Sequence, residues 1–156
     1  MDSTFTDMTL SHYSFEPFEL RACSYLQINL MKPNGLWLSV DGDDSWEDLC
    51  RNENFRIEYL KYKYIVKLKK DANIRHLIGY DDIVAFTQEF EYKYLSFTEI
   101  KWPKVAKQYD GIIIDPYVWK GRCAITLSWY YNWDCASGCI WNLDAIETFE
   151  LEDNKK

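Results

Sequence analysis

At 156 residues the chain has room for one domain, and that length can bury a real core without a disulfide framework. Lys and Arg number 18 against 25 Asp and Glu, a net charge of −7, which argues against a module that holds nucleic acid chiefly through basic charge but leaves room for a local patch. Aromatic residues make up 17%, too many for a disordered tail and enough to wall a core or a cleft with flat surfaces. In chain order, Met1 to Ser11 lacks the basic start and apolar stretch of a signal peptide. No apolar run approaches the ~18 residues that a membrane span needs. The expectation is a cytoplasmic protein without a membrane segment. A turn at Lys32-Pro33-Asn34-Gly35 starts a short apolar strand through Val40. Asp43-Asp44-Ser45 offers caps for a helix from Trp46 to Cys50.

Ile57 to Lys69 alternates with period two. Leu60, Tyr62, Tyr64, Val66 and Leu68 form one face; Lys61, Lys63, Lys67 and Lys69 dominate the other. The pattern predicts a strand with one buried face and one wet basic face, the latter solvated or turned to an acidic partner or a phosphate backbone. Ile83, Val84, Phe86 and Phe90 predict a helix over Asp81 to Tyr92, and Pro103 suits the first turn of a helix running to Tyr109. Gly111 to Ile114, Ala124 to Tyr131 and Gly138 to Trp141 read as strands, and Glu150 to Lys156 as a frayed polar tail. These elements predict an α+β domain over 1–156 with a largely antiparallel sheet and short helices.

Five scattered cysteines without CxxC read as free buried thiols, with no zinc site. There is no nucleophile elbow and no glycine-rich phosphate loop.

Three segments stand out together. The first is Ser11-His12-Tyr13-Ser14. The second is Gly35-Leu36-Trp37-Leu38-Ser39-Val40, followed by Trp46. The third is Tyr109-Asp110-Gly111-Ile112-Ile113, leading to Asp134 through Asn142 and then Asp144-Ala145-Ile146. Their order and character resemble the His-containing branch of the ADP-ribosyltransferase superfamily, which includes diphtheria-toxin-like enzymes and poly(ADP-ribose) polymerases. In that branch a His ends the first strand, a Gly-aromatic-aromatic-Ser/Thr strand follows, a short helix carries a second aromatic, and a late strand supplies the catalytic acid. The resemblance runs from Leu10 to Phe149.

The resemblance implies a split antiparallel sheet and a chemistry in which NAD is a co-substrate. The nicotinamide bond breaks, and ADP-ribose passes to a macromolecule, protein or nucleic acid, or to water. Such a site needs flat walls for a cationic ring, hydroxyl partners for two riboses, and negative charge beside the ribose that becomes cationic. By resemblance His12 binds the adenosine ribose, and the Tyr13 backbone or Ser14 meets the nicotinamide amide. Trp37 and Trp46 supply the two rings, and Ser39 a ribose-side hydroxyl. At the acid position the sequence departs from the pattern: Ser137 stands where Glu is usual, with Asp134 the nearest carboxylate. Both remain candidates. The biological setting that the resemblance implies is a phage or bacterial conflict factor in the host cytoplasm. The competing expectation is a non-catalytic nucleotide- or protein-binding domain of the same fold.

Overall fold

Seven strands form one mixed but mostly antiparallel sheet in the computed structural model, which describes residues 8–152. The strands are β1 (Leu10–Ser14), β2 (Leu36–Val40), β3 (Tyr62–Leu68), β4 (Ile74–Leu77), β7 (Gly111–Ile114), β8 (Ser137–Ile140) and β9 (Ile146–Leu151), in the order β4-β7-β8-β2-β1-β3-β9. Only β4 and β7 run parallel among these pairs. A separate hairpin joins β5 (Glu91–Tyr94) to β6 (Phe97–Ile100). Among the described residues three α-helices complete the fold: α1 (Trp46–Asn52), α2 (Tyr80–Phe90) and α3 (Trp102–Ala106). The α+β class expected from the sequence holds. Among the described residues no helix is long and apolar enough to cross a membrane.

The helices form for local reasons. Ser45, as predicted, caps α1 by accepting from the Asp48 amide at 3.1 Å. In α2, Ile83, Phe86 and Phe90 recur on one buried face, and Asp81 and Asp82 sit in the first turn, where the helix dipole favours acids. Trp102 and Val105 of α3 are fully buried beside them in the same core. The three central isoleucines of β7 are buried, as a strand covered on both faces requires. Gly138 on β8 is held to glycine by close approach: a Cβ there would lie 2.8 Å from the Ile112 carbonyl oxygen.

Several expectations need correction. Ala124 to Tyr131 is not a strand: Ile125–Asn132 is a run of 3-10 turns broken at Leu127. Its β-branched and aromatic composition reads as a strand, but Leu127, Trp129 and Tyr130 turn inward while Ile125 and Tyr131 stay exposed, a spacing that a strand cannot give. The start of the long predicted strand, Ile57–Leu60, is likewise a 3-10 turn. The polar tail begins later than predicted, since Glu150 and Leu151 pair with β3; 153–156 lie outside the described residues. Finally, Lys63 is not part of a wet basic face. It pairs with Asp41 at 2.9 Å, both largely shielded. Of the cysteines, Cys50, Cys135 and Cys139 are buried free thiols as expected, whereas Cys23 and Cys123 are exposed.

Candidate functional site

The site begins where two central strands separate. β1 pairs with β3 over five residues but with β2 at only two positions, Leu10↔Val40 and Ser11↔Ser39. Beyond these, the two strands diverge, and a cleft of about 320 Å³ opens along them. His12, Tyr13, Trp37, Ser39, Trp46, Asp134 and Ser137 all line it. Ser14 does not; its hydroxyl donates to the Glu16 carbonyl at 2.6 Å in the turn that leaves β1. The sequence thus identified one shared crevice, with Ser14 set apart from it.

Register explains the grouping. Ser11 faces Ser39, and Ser39 faces Ser137, so three serines form one row across β1, β2 and β8. All three are buried. Each hydroxyl has a task. Ser11 donates to Asp41 at 2.9 Å, Ser39 accepts the Trp46 amide at 3.0 Å, and Ser137 donates to the Cys135 carbonyl at 3.0 Å. The Ser39 bond ties the start of α1, and with it the Trp46 indole, to the strand that carries Trp37.

Trp37 is half-buried, with its ring 4.9 Å from that of Trp133 and the Lys32 ammonium 5.2 Å from its centroid. Trp46 is half-buried too and meets Phe55 edge-on. Neither indole is sealed in the core. Tyr13 donates to Glu47 at 3.3 Å, and burial pushes its hydroxyl pKa well up, so it stays a neutral donor. Burial opposes the charge on Lys63, but the bond to Asp41 holds it cationic.

His12 points the other way from its neighbours on β1. Its ring packs among Phe18, Tyr64 and Phe149 on the other face of β1, yet still borders the cleft beside the Trp37 carbonyl. Its Nδ1 lies 2.8 Å from the Trp37 carbonyl oxygen, so Nδ1 carries the proton and donates across the opening. Nε2 is then the acceptor. Burial lowers the His12 pKa below 6.5, against the opposing pull of that hydrogen bond, and the ring is neutral at pH 7.

A pH effect follows from this shift. Below pH 6.5 the unfolded chain takes up a proton that folded His12 resists, so the native state loses stability as pH falls from 6.5 towards the folded pKa. His12→Gln lacks this contribution. Between pH 6.5 and 5.5, wild type loses stability relative to His12→Gln, by at most about 1.4 kcal/mol. Urea denaturation of both at the two pH values checks this, and a constant gap between them rules it out.

Asp134 stands at the rim, 45% exposed, with Oδ1 3.0 Å from Arg122. Arg122 also donates to the Tyr117 hydroxyl and the Trp133 carbonyl, which fixes it and leaves its charge directed at Asp134. Between the two acid-position candidates, Ser137 is the strand residue and Asp134 lies in the segment entering β8. That segment is held to the loop before α1, where the Ala136 amide donates to the Asp44 carbonyl at 2.8 Å.

Sequence reasoning missed Ser11, Lys32, Leu38, Tyr59 and Cys135 as cleft residues, and weighed Trp133 between cleft and core. Ser11 and Leu38 flank residues already singled out, and Trp133 and Cys135 flank Asp134, so adjacency was the available signal. Lys32 and Tyr59 had none, because only the folded chain brings them there. Burial pushes the Cys135 thiol up to about 12, so it lines the cleft as a neutral group and not as a nucleophile. Compared with family models, with curated proteins and with solved structures, the chain matches none.

Proposed function

We propose that this protein is an NAD-dependent mono-ADP-ribosyltransferase whose nicotinamide and ribose site is the cleft between β1 and β2. One observation carries the reading: the early His, two half-buried Trp residues and a carboxylate, far apart in sequence, line a single open cleft. The donor set suits a nicotinamide nucleoside. Its volume falls within the range of small-molecule pockets, its walls are flat rings, and its edges carry hydroxyls and one carboxylate.

Each residue has a definable part. Trp37 and Trp46 flank a flat cationic ring, each contact contributing roughly 0.5–2 kcal/mol. His12, neutral with Nδ1 committed to Trp37, offers Nε2 as an acceptor to a ribose hydroxyl. Ser39 accepts from Trp46 and keeps its own proton to donate. Lys32, at the cleft edge, supplies positive charge for a diphosphate. Asp134 places negative charge where the ribose becomes cationic. In the reaction the bond from the ribose to the nicotinamide nitrogen breaks, and its electron pair leaves with nicotinamide. An oxygen or nitrogen lone pair of the acceptor forms the new bond, and the acceptor's proton passes to solvent. A phage or bacterial conflict factor acting in the host cytoplasm is the biological setting we favour, with the acceptor a protein.

Incubation with NAD labelled in the adenylate and a cell lysate tests the proposal. Label on a macromolecule is expected. Nicotinamide release without label transfer reassigns the cleft to NAD hydrolysis. A second reading has its own support: a Ser occupies the strand position of the acid, and Asp134 is engaged by Arg122. On that reading the domain binds nucleotide without cleaving it, and NAD raises the melting temperature while no nicotinamide appears. No thermal response to NAD and no product together overturn both.

A further inference from the structure

A second groove, of about 450 Å³, is joined to the cleft through one ion pair. Arg122 lines this groove and binds Asp134, which lines the first. The groove has an unusual lining for a surface. Met31, Phe97 and Ile125 border it at 62%, 53% and 85% exposure. Large apolar side chains gathered at one exposed groove mark a contact surface more often than scattered single ones do. The groove also contains Glu99, whose Oε1 is buried without a hydrogen-bond partner among the described residues. A buried carboxylate oxygen left unpaired costs stability unless a partner completes it. The other charged group there, Arg122, is already matched by Asp134, so the unmatched charge in the groove is negative.

We infer that this groove docks a protein segment in which an arginine, flanked by apolar side chains, places its guanidinium on Glu99. Arginine fits better than lysine because its planar fork can satisfy a carboxylate through paired hydrogen bonds and is more weakly hydrated than an ammonium. A nucleic acid fits poorly, since its phosphates would meet Glu99 and a chain of net charge −7. Burial raises the Glu99 pKa, and a docked guanidinium would draw it back down. The role of this docking as acceptor capture rests on the transferase reading; the docking itself does not.

The test uses a dye-labelled peptide with one Arg between Leu and Phe, and its twin with citrulline in place of Arg. Fluorescence anisotropy is expected to show the Arg peptide binding at least tenfold more tightly than the citrulline peptide. Glu99→Gln is expected to remove that preference, and Ile125→Asp, at a position too exposed to upset folding, to weaken both peptides at least tenfold. Cys123, an exposed thiol of the groove, is expected to be alkylated more slowly with the Arg peptide bound, while Cys23, exposed but outside the groove, keeps its rate. Equal affinity for the two peptides, no measurable binding of either, an unprotected Cys123, or tighter binding of a single-stranded oligonucleotide each overturns the inference. The NAD-induced melting shift is measured in the same variants. Its absence in wild type, together with the absence of any product from NAD but beside intact peptide binding, overturns the transferase reading alone.

Discussion

Asp134→Ala lowers nicotinamide release from NAD about 100-fold and leaves the melting temperature within a few degrees of wild type. The two halves of this expectation have separate causes. On the proposed reading the carboxylate opposes positive charge that develops only as the nicotinamide bond breaks. Its removal therefore acts on turnover far more than on NAD affinity. Stability depends on it little. Its ion pair with Arg122 is solvent-accessible on both sides, 28% and 45%, and such pairs contribute about 0–1 kcal/mol. Arg122 keeps its bonds to Tyr117 and Trp133 when Asp134 is lost. Ser137→Ala is the control. It deletes a hydroxyl donated to the Cys135 carbonyl, and turnover is expected to change less than tenfold. Steady-state nicotinamide release and thermal melting of both variants decide the matter. If Ser137→Ala abolishes release while Asp134→Ala does not, the roles are exchanged.

Trp129→Ala is expected to have the largest effect on the fold itself, about 3–5 kcal/mol of lost stability. Trp129 is fully buried, with its ring against those of Phe86, Trp102, Tyr130 and Trp133. Its indole N–H donates to Thr87 Oγ1 at 2.8 Å, and Thr87 donates in turn to the Ile83 carbonyl. Truncation leaves a cavity among four rings and an unpaired Thr87 oxygen. Against a typical total of about 5–15 kcal/mol, that is a large share, and about 2–4 °C per kcal/mol makes it plain in a melting curve. The site suffers with it, since Trp133 packs at a tilt against Trp37 and borders Asp134. Trp129→Phe keeps most of the volume and is expected to recover about half of the loss. Equilibrium urea denaturation gives both values. A loss under about 1 kcal/mol for Trp129→Ala would falsify the packing account.

These two residues also mark where sequence stops being informative. Asp134 could be nominated because a carboxylate beside a late strand suits the chemistry, and seven of the eight nominated side chains do line one cleft. The strands Leu36–Val40, Gly111–Ile114 and Ser137–Ile140 were legible because short apolar runs bounded by turn residues have few other solutions. Trp129 sat in a segment misread as a strand, because aromatic and β-branched residues favour strands until tertiary burial imposes a different spacing. The hairpin of β5 and β6 was missed because much of it is exposed and its turn passes through Leu95 at φ 58°, where no glycine announces it. The pairing of Lys63 with Asp41 was unreadable for another reason. An alternating strand shows which residues share a face, not which acid a neighbouring loop brings to it.

The parting of β1 from β2 has a consequence for how a flat guest could enter. Main-chain ladders hold strands at fixed steps of about 4.7–4.9 Å, and they admit nothing between them. Here an imidazole on rotatable bonds spans the gap to the Trp37 carbonyl instead. At this point the two strands are therefore tied by a side-chain hydrogen bond, not by a rung of the backbone. A shorter side chain at position 12 therefore removes the tie across the gap together with the ribose contact proposed for that ring.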